Sequence, residues 1–152
     1  MIINYSDQDV LRGKKSIFLA GPTPRSQDVA SWRPDAVKVL EELNFDGIVY
    51  VPEYSTGEKL FDYTLQVDWE TEALENATII VFWVPRKIPE MMALTTNCEF
   101  GEWYKSGKIL YGRPDDAKSI KYLDYKYFIS TKNKPFNKLE DLIKEAVDLT
   151  SK

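Results

Sequence analysis

The stretch Thr78-Ile-Ile-Val-Phe-Trp-Val84 decides the fold of this chain. It runs for seven residues without a charge and is followed by Pro85, and a run that is apolar on both faces is typical of a central strand in a parallel sheet. Shorter apolar runs predict three further strands at 16–20, 48–51 and 108–112, and a short fifth strand at 127–130. The first dozen residues are expected to form a loose arm or a short edge strand.

Segments with helical spacing of apolar residues lie between these strands and after them. They predict helices at 29–43, 65–77, 97–106 and 137–149. Strands that alternate with helices indicate an α/β fold, in which helices cover both faces of a five-stranded, mainly parallel sheet. We expect one domain over 1–152, since the sequence contains no repeat and no linker.

Composition restricts the chemistry and the partners of the protein. The 152 residues include 20 basic and 24 acidic side chains, so an electrostatic attraction to duplex nucleic acid or to an anionic membrane is not expected, and a small molecule is the expected partner. There is no histidine, and Cys98 is the single cysteine, which excludes Ser-His-Asp and Cys-His machinery and a thiolate zinc site. The lack of an apolar leader predicts a cytoplasmic protein.

Ligands of open α/β sheets bind outside the carboxyl ends of the strands. The loop from Gly21 to Ser26 follows the first long strand and is too rich in proline to be a dinucleotide fingerprint or a Walker loop. Gly21 and Pro22 would let a ligand approach the backbone, while Arg25 and Ser26 are candidates to receive a phosphate or a sugar hydroxyl. The alternative is a rigid surface turn with a solvated arginine.

Glu99 is the first candidate for a catalytic carboxylate. Asn97, or Thr96 before it, is predicted to cap a helix, which would put Glu99 in the first turn, where the helix dipole favours its ionised form. The alternative is structural, because Thr96 and Glu99 also have the spacing of a capping box.

A second acid is expected from the helix that precedes the central strand. Glu70 and Asp68 are the candidates, and they cannot both point the same way on a helix. Trp32 and Trp69 are candidates for stacking on a nucleobase, although most aromatic residues belong to the core. Arg86 lies in a loop expected to cover the pocket, or is a plain surface cation.

Three stretches together resemble the nucleoside 2-deoxyribosyltransferase superfamily. They are Ile17-Phe-Leu-Ala-Gly-Pro22, Ala77-Thr-Ile-Ile-Val81 and Asn97-Cys-Glu-Phe-Gly101. The resemblance is strongest to the branch described as nucleoside 2-deoxyribosyltransferase-like, in which Trp32-Arg33-Pro34, Phe82-Trp-Val-Pro-Arg86 and Thr95-Thr96-Asn97 also recur.

This resemblance implies a flavodoxin-like three-layer sandwich and an enzyme that breaks the N-glycosidic bond of a (deoxy)nucleoside or nucleoside 5′-monophosphate, by transfer to another base or by hydrolysis. It implies that Glu99 is the nucleophile and that Glu70 stands where the family has an aspartate that handles the base. Thr96 and Asn97 join the expected substrate-binding residues. No cofactor and no metal are expected, and relatives commonly form homo-oligomers.

Three other functions stay open at this point. A non-catalytic nucleotide-binding module would fit the exchange of the family aspartate for Glu70. Cleavage of the nicotinamide glycosidic bond of NAD would use the same carboxylate chemistry. A flavin-binding relative of flavodoxin is the weakest alternative, because the loop after the first long strand lacks a phosphate-binding pattern rich in Ser and Thr.

Overall fold

The computed structural model describes residues 1–58 and 62–152. Within them lie five strands and five helices in the order β1 (Ile2–Tyr5), β2 (Ser16–Ala20), α1 (Arg33–Glu42), β3 (Ile48–Val51), α2 (Tyr63–Asn76), β4 (Ile79–Trp83), α3 (Leu94–Trp103), β5 (Ile109–Gly112), α4 (Lys121–Thr131) and α5 (Leu139–Thr150). In the described part of the chain no helix is both long enough and apolar enough to cross a membrane.

The strands form one sheet in the order β1-β3-β2-β4-β5, and every neighbouring pair is parallel. Ile17 on β2 pairs with Val49 on one side and with Ile79 on the other. The prediction of an α/β fold with a five-stranded, mainly parallel sheet is thus confirmed. The first residues form the short edge strand that was one of two expectations for them.

Alternate residues of each strand face opposite helical layers, as the pleat of a sheet requires. Phe18 and Phe82 point toward the layer of α2, α3 and α4, where they join Trp69 and Phe100 in one apolar cluster. The opposite face packs against α1 and α5 in a second cluster. All five residues of β4 are buried, which explains why its sequence is apolar on both faces.

The expected strand at 127–130 is wrong, since these residues lie within α4. Leu123 and Tyr127 are buried one helical turn apart, while Phe128 and Ile129 are exposed. A short apolar run does not by itself distinguish a strand from a helix. The fifth strand of the sheet is β1 instead.

Helix starts also differ from the expected positions. Helix α3 begins at Leu94, and its N-cap is Ala93, which has a left-handed backbone and no side-chain cap. The backbone N–H of Asn97 donates to the carbonyl of Ala93, so Asn97 lies inside the helix and its predicted capping role is wrong. Helix α5 begins at Leu139, with Lys138 as its N-cap, and not at 137 as expected.

The order of the strands reverses at β2, because β3 is added on one side of it and β4 on the other, and the carboxyl ends of β2 and β4 open a crevice there. Gly21, directly after β2, has a φ of +150°, and a Cβ built on it would lie 2.2 Å from the carbonyl oxygen of Trp83. The indole N–H of Trp32 donates to the carbonyl of Pro22 at 3.1 Å and so holds the loop after β2 in place. Glycine is therefore required at 21 both by conformation and by space.

We expect Gly21→Ala to lower the free energy of unfolding by about 3 kcal/mol, because strain at positive φ and overpacking each cost roughly 1–3 kcal/mol. Gly107→Ala is the matched control, since Gly107 also has a positive φ but open space around its Cα. Urea unfolding of both variants measures the difference. Equal losses of unfolding free energy in the two variants would show that crowding against Trp83 does not contribute to the destabilisation.

Candidate active site

The crevice holds a cavity of about 390 Å³. Its walls come from the loops after β2 and β3, from the first half of α2 and from the start of α3. The lining residues are Gly21, Pro22, Thr23, Pro24, Arg25, Arg33, Pro52, Glu53, Gly57, Glu58, Tyr63, Gln66, Val67, Glu70, Ala93, Leu94, Thr95, Thr96 and Glu99. Loops at the carboxyl ends of the strands therefore contribute to one cavity, as expected for an open α/β sheet.

Glu70 and Glu99 meet in this cavity, one from α2 and the other from α3. Their carboxyl groups lie close enough for each to shift the pKa of the other. The side-chain amide of Gln66, one helical turn before Glu70, donates to Glu70 Oε1 at 2.8 Å and to the carbonyl of Pro52 at 3.3 Å. Two acidic side chains from different helices are thus held against each other.

This arrangement raises the pKa of both carboxyl groups. Burial is the largest cause for Glu99, and together with the charge of Glu70 it raises the pKa of Glu99 to about 8, against the opposing charge of Arg33. Burial also raises the pKa of Glu70, while the hydrogen bond from Gln66 and the charge of Arg33 act in the other direction. Two carboxyl groups in contact do not readily both ionise, so the pair retains one proton at neutral pH.

The expectation that the start of the helix keeps Glu99 ionised is wrong. Because α3 begins at Leu94, Glu99 lies in its second turn, and the dipole effect falls off within the first turn. Burial and the neighbouring Glu70 dominate instead. The capping box with Thr96 is wrong for the same reason, since the N-cap is Ala93.

Arg33 is a residue of the site that the sequence analysis missed. Its side chain lines the cavity and is almost completely buried, at 1% exposure. It donates to the carbonyls of Leu19 and Gly21 at 2.9 and 2.7 Å, and to the side chains of Thr23 and Glu53, each at 2.9 Å. The recurring Trp-Arg-Pro stretch was the one available signal, but an arginine at a helix start usually lies in solvent.

The structure places the other expected site residues in different positions. Gly21, Pro22, Arg25 and Thr96 line the cavity, and Arg25 is exposed to solvent. Ser26 and Asp68 are also exposed but do not line it.

Neither of the two expected tryptophans lines the cavity. Trp32 instead donates a hydrogen bond to the loop after β2 through its indole N–H. Trp69 packs in the core, with ring centroids 6.2 Å from Phe18 and 6.3 Å from Tyr50. Among the described residues, the aromatic side chain that lines the cavity is Tyr63, which is 70% exposed.

Arg86 and Asn97 lie together at a second cavity, next to a different face of α3. The guanidinium of Arg86 donates to the side-chain oxygen of Asn97. The structure thus brings these two residues to each other and not to Glu99.

Comparison with known proteins identifies the family. A family model described as nucleoside 2-deoxyribosyltransferase like matches residues 14–117, which include the loop after β2, Glu70 and Glu99. No curated protein matches the chain significantly. The match covers more than half of the chain, and the observed sheet agrees with the flavodoxin-like fold that the resemblance implies. The chain therefore belongs to the nucleoside 2-deoxyribosyltransferase-like family.

Proposed function

We propose that this protein cleaves the N-glycosidic bond of a (deoxy)nucleoside or a nucleoside 5′-monophosphate, with Glu99 as the nucleophile and Glu70 as the acid that protonates the departing base. The observation that carries the proposal is that Glu70 and Glu99 line the same cavity, where each carboxyl group shifts the pKa of the other. Departure of a base from C1′ leaves an oxocarbenium-like sugar, which an adjacent carboxylate stabilises or traps. A second carboxyl group that still carries a proton is suited to help the base leave.

The shared proton allows the two acids to take different roles. When it lies on Glu70, Glu99 is a carboxylate and attacks C1′ while the bond from C1′ to the base nitrogen breaks. The proton of Glu70 goes to the base, and the sugar remains as an ester of Glu99. A second base or water then attacks C1′, gives its proton to Glu70 and releases Glu99 as a carboxylate, which completes transfer or hydrolysis.

Arg33 supports this division of roles through its charge. It acts electrostatically on both Glu70 and Glu99 and lowers the pKa of each against the effect of burial. Its ion pair with Glu53 at 2.9 Å fixes the guanidinium beside the cavity. This buried cation, although paired with Glu53, therefore favours the ionised form of a carboxyl group in the pair.

We also propose that the protein works in the cytoplasm as a homo-oligomer. Tyr63 and Leu94 line the cavity yet are 70% and 57% exposed, and Leu65 close by on α2 is 67% exposed. Exposed apolar side chains grouped at the mouth of a site are typical of surfaces that a neighbouring chain covers.

The proposal is tested by measuring free base chromatographically after incubation with deoxynucleosides, ribonucleosides, their 5′-monophosphates and NAD. We expect wild-type protein to release base from a nucleoside or a monophosphate. Release of nicotinamide alone would favour NAD cleavage. Tight binding of a nucleotide with no turnover would favour a binding module.

Three variants separate the roles of the acids in the same assay. We expect Glu99→Gln to abolish base release and Glu70→Gln to reduce it about 10²–10⁴-fold, the usual contribution of a general acid. Asp68→Asn is the matched control on α2, and because Asp68 is exposed its variant should keep wild-type activity. Full activity in Glu99→Gln would refute the assigned nucleophile.

Glu99→Gln should also be more stable than the wild type at alkaline pH. The folded wild type keeps a proton on the pair, whereas the unfolded chain loses it above the ordinary glutamate pKa of about 4.3. The stability from this proton is therefore complete at low pH and is lost as pH rises to about 8. Glutamine has no proton to lose. If the variant gains about 2 kcal/mol in free energy of unfolding at pH 8, its Tm should be roughly 4–8 °C higher than that of the wild type. This difference should close toward pH 4.

Thermal unfolding by circular dichroism at both pH values measures this gap. Asp68→Asn again serves as the control and should follow the wild type at each pH. A gap that does not depend on pH would show that the carboxyl of Glu99 titrates normally.

A further inference from the structure

The second cavity, of about 350 Å³, is lined by Arg86, Asn97, Phe100, Gly101, Tyr104, Ser119, Tyr122, Leu123 and Lys126. Its residues come from α3 and the residue that follows it, from α4, and from the loops before these helices. The only charged side chains among them are Arg86 and Lys126, and both are cationic. The first cavity has the opposite character, since four glutamates line it together with two arginines.

Arg86 is a buried cation without an ion-pair partner among the described residues. It is 4% exposed. Its guanidinium donates to the main-chain carbonyls of Met92 at 2.9 Å and Ser119 at 2.6 Å, and to the side-chain oxygen of Asn97. These three acceptors are neutral, so they satisfy hydrogen bonds but leave the charge unbalanced.

Lys126 adds a second cation to the lining of this cavity, and two tyrosines add flat aromatic rings. The ammonium of Lys126 lies 5.1 Å from the ring centroid of Tyr104 and 5.5 Å from that of Tyr122. The ring of Tyr104 stacks on Phe100 at an interplanar angle of 7°.

The carboxylate of Asp124, on the same helix as Lys126, is already engaged elsewhere. It accepts from Arg113 at 2.8 Å and from the hydroxyl of Tyr111 at 2.9 Å, and it does not line the cavity. No acidic side chain among the described lining residues neutralises the two cations.

We propose that this second cavity binds a small anion carried on a planar ring, such as an aromatic phosphate monoester. Arg86 and Lys126 would receive the anionic group, since hydrogen bonds between ionised partners are the stronger class. The rings of Tyr104 and Tyr122 would contact the planar part. Because Glu99 lies in the other cavity, this site is independent of the glycosidic chemistry proposed above.

Phenyl phosphate is the probe that tests the site, compared with phenol, which lacks the charge, and inorganic phosphate, which lacks the ring. We expect isothermal titration calorimetry to show saturable binding of phenyl phosphate, and at least tenfold weaker binding of each of the other two. Equal binding of phenol would overturn the anionic class of the ligand. Equal binding of inorganic phosphate would overturn the contribution of the ring.

A matched pair of variants on α4 tests the residue assignment. We expect Lys126→Gln to weaken phenyl phosphate binding about tenfold and Lys121→Gln, which makes the same charge change outside the cavity, to leave it unchanged. Glu99→Gln should bind the probe like the wild type, so failure of the proposed catalytic function would not affect this result. Equal affinities of Lys126→Gln and the wild type would overturn the proposal.

The position of the bound probe is checked by amide chemical shifts in ¹⁵N-labelled protein. We expect the largest changes at Gly101 and Ser119, which line the second cavity, and little change at Gly21 and Thr23, which line the first. The reverse pattern would show that the probe enters the first cavity, and it would overturn the proposal. No binding of phenyl phosphate at millimolar concentration would also overturn it.

Discussion

The buried guanidinium of Arg33 is the interaction on which the candidate site depends. Through four hydrogen bonds it fixes the last residues of β2, the loop that follows them and Glu53 after β3. These are the segments that form one side of the cavity. Removing one partner of a buried ion pair typically costs 3–5 kcal/mol of folding free energy. The same side chain thus holds the loops in place and supplies the positive charge at this site.

The charge of Arg33 also explains how two half-buried glutamates are tolerated side by side. Burial opposes ionisation of both Glu70 and Glu99, the charge of Glu70 adds to this effect at Glu99, and the nearby cation partly offsets it. The balance leaves one proton on the pair near neutral pH. An acid and a carboxylate are then available together from one residue type, in a chain that contains no histidine.

The sequence predicted the strands whose signal is local, and it named as candidates Glu70 and Glu99, which the structure brings into one cavity. It did not predict the raised pKa of Glu99. The run at 78–84 is long, apolar and followed by proline, which is sufficient to assign β4. The run at 127–130 is short, and only the packing of Leu123 with Tyr127 determines that it is helical. Glu99 was found through its motif, whereas its raised pKa depends on Glu70, which a different helix supplies. Arg33 was missed because two of its four partners are main-chain carbonyls, which no residue pattern reveals.

The central claim of this account is that Glu99 forms a covalent bond to the sugar. The most direct measurement is peptide mass spectrometry after incubation with a 2′-fluoro-arabinosyl nucleoside, whose fluorine slows the breakdown of a glycosyl ester by destabilising the oxocarbenium-like transition state. The account predicts added mass of one fluorinated sugar on the peptide that contains Glu99, with release of one equivalent of base. Release of base with no added mass, or an adduct on another residue, would contradict it.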